Sequence, residues 1–311
     1  MTARPVLPQL TDGVFLTDGG LETDLIFHHG VDLPQFASFV LHDDRDGEAM
    51  LRDYYRDYLQ IASSAGHGLV LESATWRASR DWGALLGYDA TRLRDVNRRA
   101  VEFLVELREQ EAGVPVVISG CIGPRGDAYS DLGPARADDA ARYHREQIEV
   151  LAGTGVDMVS AFTLTNVAEA IGIVRAAQAR AEPSVISFTV ETDGALPTGM
   201  ALTDAIREVD TATEQGPAYY LINCAHPDHF VDVLADREPI LERIRGVRAN
   251  ASRLSHAELD ESEELDDGDP GEFGEQLAAL HARRPHLNVL GGCCGTDSRH
   301  IAAIARACAP R

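Results

Sequence analysis

Short apolar runs rich in β-branched residues alternate along the chain with longer stretches whose apolar positions recur every three or four residues. That alternation of periods is the signature of βαβ units and a parallel sheet. Eight such runs can be counted, at 14–17, 69–72, 114–119, 157–162, 184–190, 219–223, 246–250 and 288–290. Several are almost continuously apolar, as strands covered on both faces must be. Between them, helical patterns cover 49–64, 91–111, 137–153, 167–180, 202–215 and 274–283. Eight repeats favour closure over an open sheet, and 311 residues is an ordinary length for one closed unit. The expected fold is therefore α/β, a single (β/α)8 TIM barrel occupying residues 1–311.

One stretch breaks the pattern. Residues 255–271 contain AELDESEELDDGDPG, whose charge and Pro/Gly content predict a solvated loop with room for one helical turn. Because it follows the seventh run, it falls on the face where such barrels build their sites, and a lid over that face is the alternative.

Composition narrows the function. With 44% hydrophobic and 25% charged residues the chain can bury a substantial core. The formal charge of −22 argues against nucleic acid, which needs a basic surface, and all 28 basic residues are arginines. No apolar run approaches the roughly 20 residues that cross a bilayer. The first ten residues lack the basic start and apolar core of a signal peptide. A cytoplasmic protein acting on small molecules is expected, with a homo-oligomer left open. Five cysteines are too few for a disulfide framework, and in a reducing compartment clustered thiols serve metals or catalysis.

In a barrel the residues just after each strand form the site. Here the first run ends in Asp18-Gly19-Gly20-Leu21-Glu22-Thr23 and the second in Glu72-Ser73-Ala74-Thr75-Trp76. The sixth ends in Asn223-Cys224-Ala225-His226-Pro227 and the eighth in Gly291-Gly292-Cys293-Cys294-Gly295-Thr296. Strands six and eight are two apart around the ring, so Cys224 can face Cys293 and Cys294 at metal-binding distance. The flanking glycines allow the backbone to turn both vicinal thiols toward one centre, which strand alternation would forbid. Three thiolates suit Zn²⁺ and leave one tetrahedral position open, the arrangement of a catalytic site. Cys121 and Cys308 lack that setting and read as packing residues.

The DGG-LET start, the INCAHP segment and the terminal GGCCGT together resemble the homocysteine S-methyltransferase family, in order and across the whole chain. The resemblance implies a (β/α)8 barrel in which Cys224, Cys293 and Cys294 bind zinc and the substrate thiol joins as a further ligand. It implies methyl transfer from a sulfonium or ammonium donor to a thiol, most simply homocysteine giving methionine, and a role for Asp18 in holding the acceptor. The family has a glutamate at the end of the fourth strand for the acceptor's amine; here Phe162 stands in that position, one carboxylate short. Glu72, at the second strand exit, can supply the missing charge. Trp76 offers a π face to a cationic methyl donor. Glu191 and Asp193 read as turn residues after the fifth strand, and His226 as a hydrogen-bonding histidine beside the cysteines. A different thiol acceptor, a zinc hydrolase on the same barrel and a non-catalytic thiol site remain the competing readings.

Overall fold

The structure is a computed structural model that describes residues 7–11, 13–111, 113–127, 136–262 and 264–309. Residues 1–6, the larger part of the amino-terminal stretch read above, and residue 263 within the acidic segment lie outside the described residues.

Eight parallel strands close into a barrel in sequence order. They are β1 (Phe15–Thr17), β2 (Gly68–Glu72), β3 (Val116–Ile122), β4 (Met158–Leu164), β5 (Ser184–Phe188), β6 (Tyr219–Asn223), β7 (Ile244–Ala249) and β8 (Val289–Gly292). Closure is made by β1 against β8, Phe15 opposite Val289 and Leu16 opposite Leu290. Every apolar run read from the sequence overlaps one of these strands.

A helix returns the chain after each strand: α1 (Arg45–Ala65), α2 (Ala90–Glu111), α3 (Ala137–Ala152), α4 (Val167–Gln178), α5 (Leu202–Thr213), α6 (Pro227–Ala235), α7 (Pro270–Arg283) and α8 (Ser298–Ala307). Helices α6 and α8 complete the set of six predicted above. Both are short, so the periodic signal has few turns to accumulate over. Their starts are nonetheless marked: Asp44, Asn166, His226, Asp269 and Asp297 each accept a backbone N–H from the first turn of the following helix, satisfying donors that would otherwise lack partners. No described helix is long and apolar enough to cross a membrane.

Period-two alternation divides the strand side chains into two cores. Leu16, Leu71, Ile118, Ile186, Ile222 and Leu290 pack outward into the large cluster shared with the helices. Phe15, Val70, Val117, Met158, Val185 and Tyr219 form a separate cluster inside the barrel. The lower end is plugged by buried Gln9, whose Nε2 donates to the Tyr219 hydroxyl at 3.2 Å. Further along the same inward rows the side chains turn polar: Glu72, Ser119, Ser160, Ser187, Asn223 and Arg248 are all buried. An apolar floor under a polar upper layer puts the reactive surface at the carboxyl ends of the strands.

Close packing fixes several glycines. A Cβ at Gly246 would meet the carbonyl of Val289 and lie 2.6 Å from Val289 Cβ, on the neighbouring strand. Gly246→Ala is therefore expected to lose about 1–3 kcal/mol to overpacking, read as a lowered urea midpoint with an unchanged slope. An unshifted midpoint would show that β7 and β8 have slack at this level.

Candidate functional site

Strand closure brings the first and last motifs into contact. Gly20 N donates to Thr296 O at 3.0 Å, Gly292 N to Asp18 O at 3.2 Å, and Gly295 N to Thr23 Oγ1 at 3.2 Å. The glycines at 291 and 292 are required by proximity, since added Cβ atoms would collide with the hydroxyls of Thr17 and Thr296. Of the glycines beside the vicinal cysteines, it is Gly295 that takes positive φ, at +77°. The tight turn read from GGCCGT thus exists, but its left-handed residue comes after the cysteines.

The three thiols converge. Cys224 Sγ lies 3.5 Å from Cys293 Sγ and 3.6 Å from Cys294 Sγ, and all three sulfurs fall within 4.8 Å of one another. With Zn–S bonds near 2.3 Å, the edge of a tetrahedron of sulfurs is about 3.8 Å. The donor set therefore fits a metal ion with little adjustment. Cys224 itself sits at φ +58°, a backbone conformation that costs a non-glycine residue roughly 1–3 kcal/mol and is retained where surrounding contacts impose it. Those contacts are its N–H to Arg248 O at 3.1 Å and its carbonyl to His256 Nε2 at 2.5 Å. The neighbouring Asn223 buckles the layer, its Oδ1 accepting from Thr163 N at 2.9 Å and its Nδ2 donating to Thr163 Oγ1 at 3.0 Å.

Of the three thiols, Cys293 is the one held well below the ordinary thiol range, by hydrogen bonding with Cys224 and Cys294 and by the Arg248 charge. Cys294 is pushed well up by the same contacts and by burial. Cys121 lines the same cavity, yet it stays outside the cluster and burial keeps its thiol protonated. Cys308 packs against the outer core at the end of α8.

A cavity of about 490 Å³ opens over the cysteines and is also lined by Asp18, Glu72, Trp76, Phe162 and Arg248. Asp18 is 2% exposed; its Oδ1 accepts from Arg248 Nη2 at 2.6 Å and its Oδ2 from the Tyr54 hydroxyl at 3.3 Å. Burial nonetheless lifts Asp18 to about 6, against the pull of Arg248. Arg248 stays charged, because Asp18 and Glu72 raise its pKa in spite of desolvation. Glu72 is 5% exposed, with Ser119 and Ser160 beside it and no hydrogen-bond partner for Oε2. Burial lifts its carboxyl to about 7. Phe162 lies with its ring centroid 5.0 Å from the Arg248 guanidinium. Trp76 already carries Arg77, 4.6 Å from its ring centroid.

Arg248 was not visible as a site residue in the sequence, although one signal was available. An arginine between Val247 and Ala249, near the end of a buried strand, must find buried partners. Other readings find plain structural uses. His226 caps α6, and Asp193 accepts from Ala195 N at 3.0 Å in a turn. Glu191 approaches His256 Nδ1 at 3.4 Å. The acidic segment does more than predicted: its helical turn His256–Asp260 carries a Ser255/Glu258 capping box, and His256, Leu259, Leu265 and Asp266 line the cavity.

Asp24, His28 and Asp297 form a second grouping of ligand atoms. Burial pushes Asp297 up, but hydrogen bonds from His300 and Arg299 hold its carboxyl well below the usual range. A cation there would have to displace Arg299, which the thiol cluster does not require of its own ligands.

Known proteins share this fold and its chain-wide pattern. The family model described as homocysteine S-methyltransferase matches residues 15–308. A homocysteine S-methyltransferase 4 from Zea mays is 26% identical over 95% of this chain and 89% of its own length. A selenocysteine Se-methyltransferase from Brassica oleracea var. italica is 23% identical over 94% and 88%. Among solved structures, the homocysteine methyltransferase MmuM from Escherichia coli superposes in its oxidized form with a TM-score of 0.73 at 21% identity, covering 94% of this chain and 95% of that one. Its metallated form gives 0.71 at 20% identity, covering 95% and 96%. With the family match running from the first strand to the last helix, the chain belongs to the homocysteine S-methyltransferase family.

Proposed function

We propose that this protein methylates a thiol, with homocysteine as acceptor and methionine as product, and that Cys224, Cys293 and Cys294 hold the zinc the reaction uses. One observation carries the reading: three sulfurs from two strand exits fall within 4.8 Å of one another on the wall of a cavity, with Cys224 Sγ 3.5 and 3.6 Å from the other two and no disulfide among them. A set of three protein thiolates fits zinc and leaves one tetrahedral position for a substrate sulfur. Bound there, zinc supplies the acceptor as a thiolate at neutral pH, where a free thiol of pKa near 8.5 is mostly protonated.

The chain's own residues orient the two substrates. Both Asp18 oxygens are engaged, by Arg248 and Tyr54, so Asp18 acts on the acceptor through Arg248. Glu72 keeps Oε2 without a partner and takes the acceptor's ammonium, replacing the carboxylate absent at Phe162. Phe27 and Phe36, 45% and 38% exposed, line the outer cavity with Trp76. This aromatic rim suits a sulfonium or ammonium donor, which cation–π attraction brings in while the apolar walls exclude water. Segment 255–271 serves as the lid, with Leu259 and Leu265 closing on the donor side.

Cys294→Ala is expected to lose stoichiometric zinc and all thiol methylation while its far-UV dichroism stays that of a folded barrel; wholesale unfolding would contradict a site confined to the mouth. Glu72→Gln tests the ammonium contact. The neutral form of Glu72 prevails below about 7, so wild-type kcat/KM for the acceptor rises with pH through that value. The variant lacks this step, its acceptor KM rises roughly tenfold or more, and its zinc content is unchanged. The same shift costs stability with a defined sign. Between the ordinary glutamate value of 4.5 and about 7 the native protein holds a proton that the unfolded chain releases. Unfolding free energy therefore falls as pH rises through that window, and the wild-type minus Glu72→Gln difference in urea midpoint should follow it. Limited proteolysis within 255–271 should slow when both substrates are bound; an unchanged rate would remove the lid.

A further inference from the structure

Cys224 brings its thiol to the cluster on a backbone that disfavours it. Its φ of +58° lies in the left-handed region, which a residue with a Cβ keeps only where its surroundings hold it. The carbonyl of this residue accepts from two side chains, His256 Nε2 at 2.5 Å and Thr189 Oγ1 at 3.4 Å. Thr189 follows β5 directly and is part of the barrel rim. His256 belongs to the acidic segment.

The sequence sets His256 in place for this contact. The Ser255/Glu258 capping box starts the helical turn at His256. Spacing of three residues puts His256 and Leu259 on one face of that turn, and both line the cavity. The imidazole is 12% exposed, with Glu191 Oε1 3.4 Å from Nδ1. The other end of the segment rests beside the second thiol strand. Ser252 Oγ donates to Asp266 Oδ2 at 2.5 Å, His300 Nε2 to Asp267 O at 2.8 Å and Arg299 Nη2 to Asp267 Oδ2 at 2.6 Å. A Cβ on Gly295, next to Cys294, would lie 2.8 Å from Asp266 O. The segment therefore spans the cluster, its carboxyl end pinned by α8 and its amino-terminal turn resting on Cys224 through the His256 ring.

A turn that swings away from the mouth takes His256 with it and removes a donor from the Cys224 carbonyl. The left-handed backbone then loses part of what holds it, and its sulfur loses a fixed place beside Cys293 and Cys294. In the other direction, an ion that draws the three sulfurs together fixes the Cys224 backbone, and with it the carbonyl that His256 needs. The two events share one coupling free energy, which linkage makes reciprocal.

We infer that His256 is a positioning residue that couples metal loading at the cysteines to order in the acidic segment, so that the segment settles over the mouth once the ion is bound and leaves an empty site open. The inference rests on the reading of Cys224, Cys293 and Cys294 as zinc ligands and adds to it a regulation of that same site.

The test follows hydrogen exchange by mass spectrometry over residues 254–266, in zinc-free and zinc-loaded protein without substrates. Zinc affinity is read alongside by competition with a chromophoric chelator. In wild type, exchange in the segment should slow by about threefold or more on loading. His256→Ala should bind zinc roughly three- to tenfold more weakly, the worth of one hydrogen bond, and its segment should exchange at one rate with and without zinc. His256→Gln, whose amide can still donate to the carbonyl, should recover part of both effects. A merely structural histidine would raise exchange in the variant by the same factor in both states. Exchange in wild type that ignores zinc overturns the inference and leaves the metal site standing, as does a His256→Ala affinity equal to that of wild type. Failure of wild type to take up zinc overturns both. The wild-type comparison decides the matter even where His256→Ala does not fold.

Discussion

The pairing of β1 with β8 is the constraint on which the site depends. An open sheet with the same strands would leave unpaired edges and would hold the DGG turn and the GGCCGT turn at opposite ends of the molecule. Closure through Phe15–Val289 and Leu16–Leu290 sets the two turns side by side, where Gly20 and Thr296, Asp18 and Gly292, and Thr23 and Gly295 exchange hydrogen bonds. The vicinal cysteines leave their strand in this contact. The third thiol arrives from β6 only because β7 spans the gap between β6 and β8 at fixed register.

A second constraint is electrostatic. The polar layer beneath the mouth buries Arg248 with Asp18 and Glu72 around it, and partial charge on Cys293 adds to the negative side. Removing one member of such a buried set costs about 3–5 kcal/mol, because its partner is left as an uncompensated charge. Burial and ion pairing oppose one another here, and each wins at a different residue. Asp18 and Glu72 are raised because desolvation exceeds the help of the arginine, while Arg248 remains a cation because two carboxylates face it. The mouth is thus tuned to receive groups that complete its charges, and its aromatic outer rim is distinct from this inner layer.

The acidic segment shows how composition misleads about position. Its charge and Pro/Gly content describe a solvated loop correctly for much of its surface. Yet His256 turns inward to the Cys224 carbonyl, and Leu259 and Leu265 face the cavity. His256 and Leu259 share a single helical turn and Leu265 lies beyond it in the loop, a pattern among acidic residues too short for periodicity to register.

By itself the chain determined the eight strands, the barrel and the three cysteines, because burial on both faces and strand-exit motifs write themselves locally as apolar runs followed by glycine, cysteine and acidic residues. That Asp18 and Glu72 lie at the cavity was legible for the same reason, as charges at the ends of such runs. What the tertiary structure alone decided is which charges meet. Arg248 lies 230 residues from Asp18, and only the ring of strands makes the two a pair, leaves Glu72 without a partner for Oε2 and sets all three side chains around one cavity. Local sequence encodes where a strand ends; the contacts across a closed barrel depend on its register, which no single segment contains.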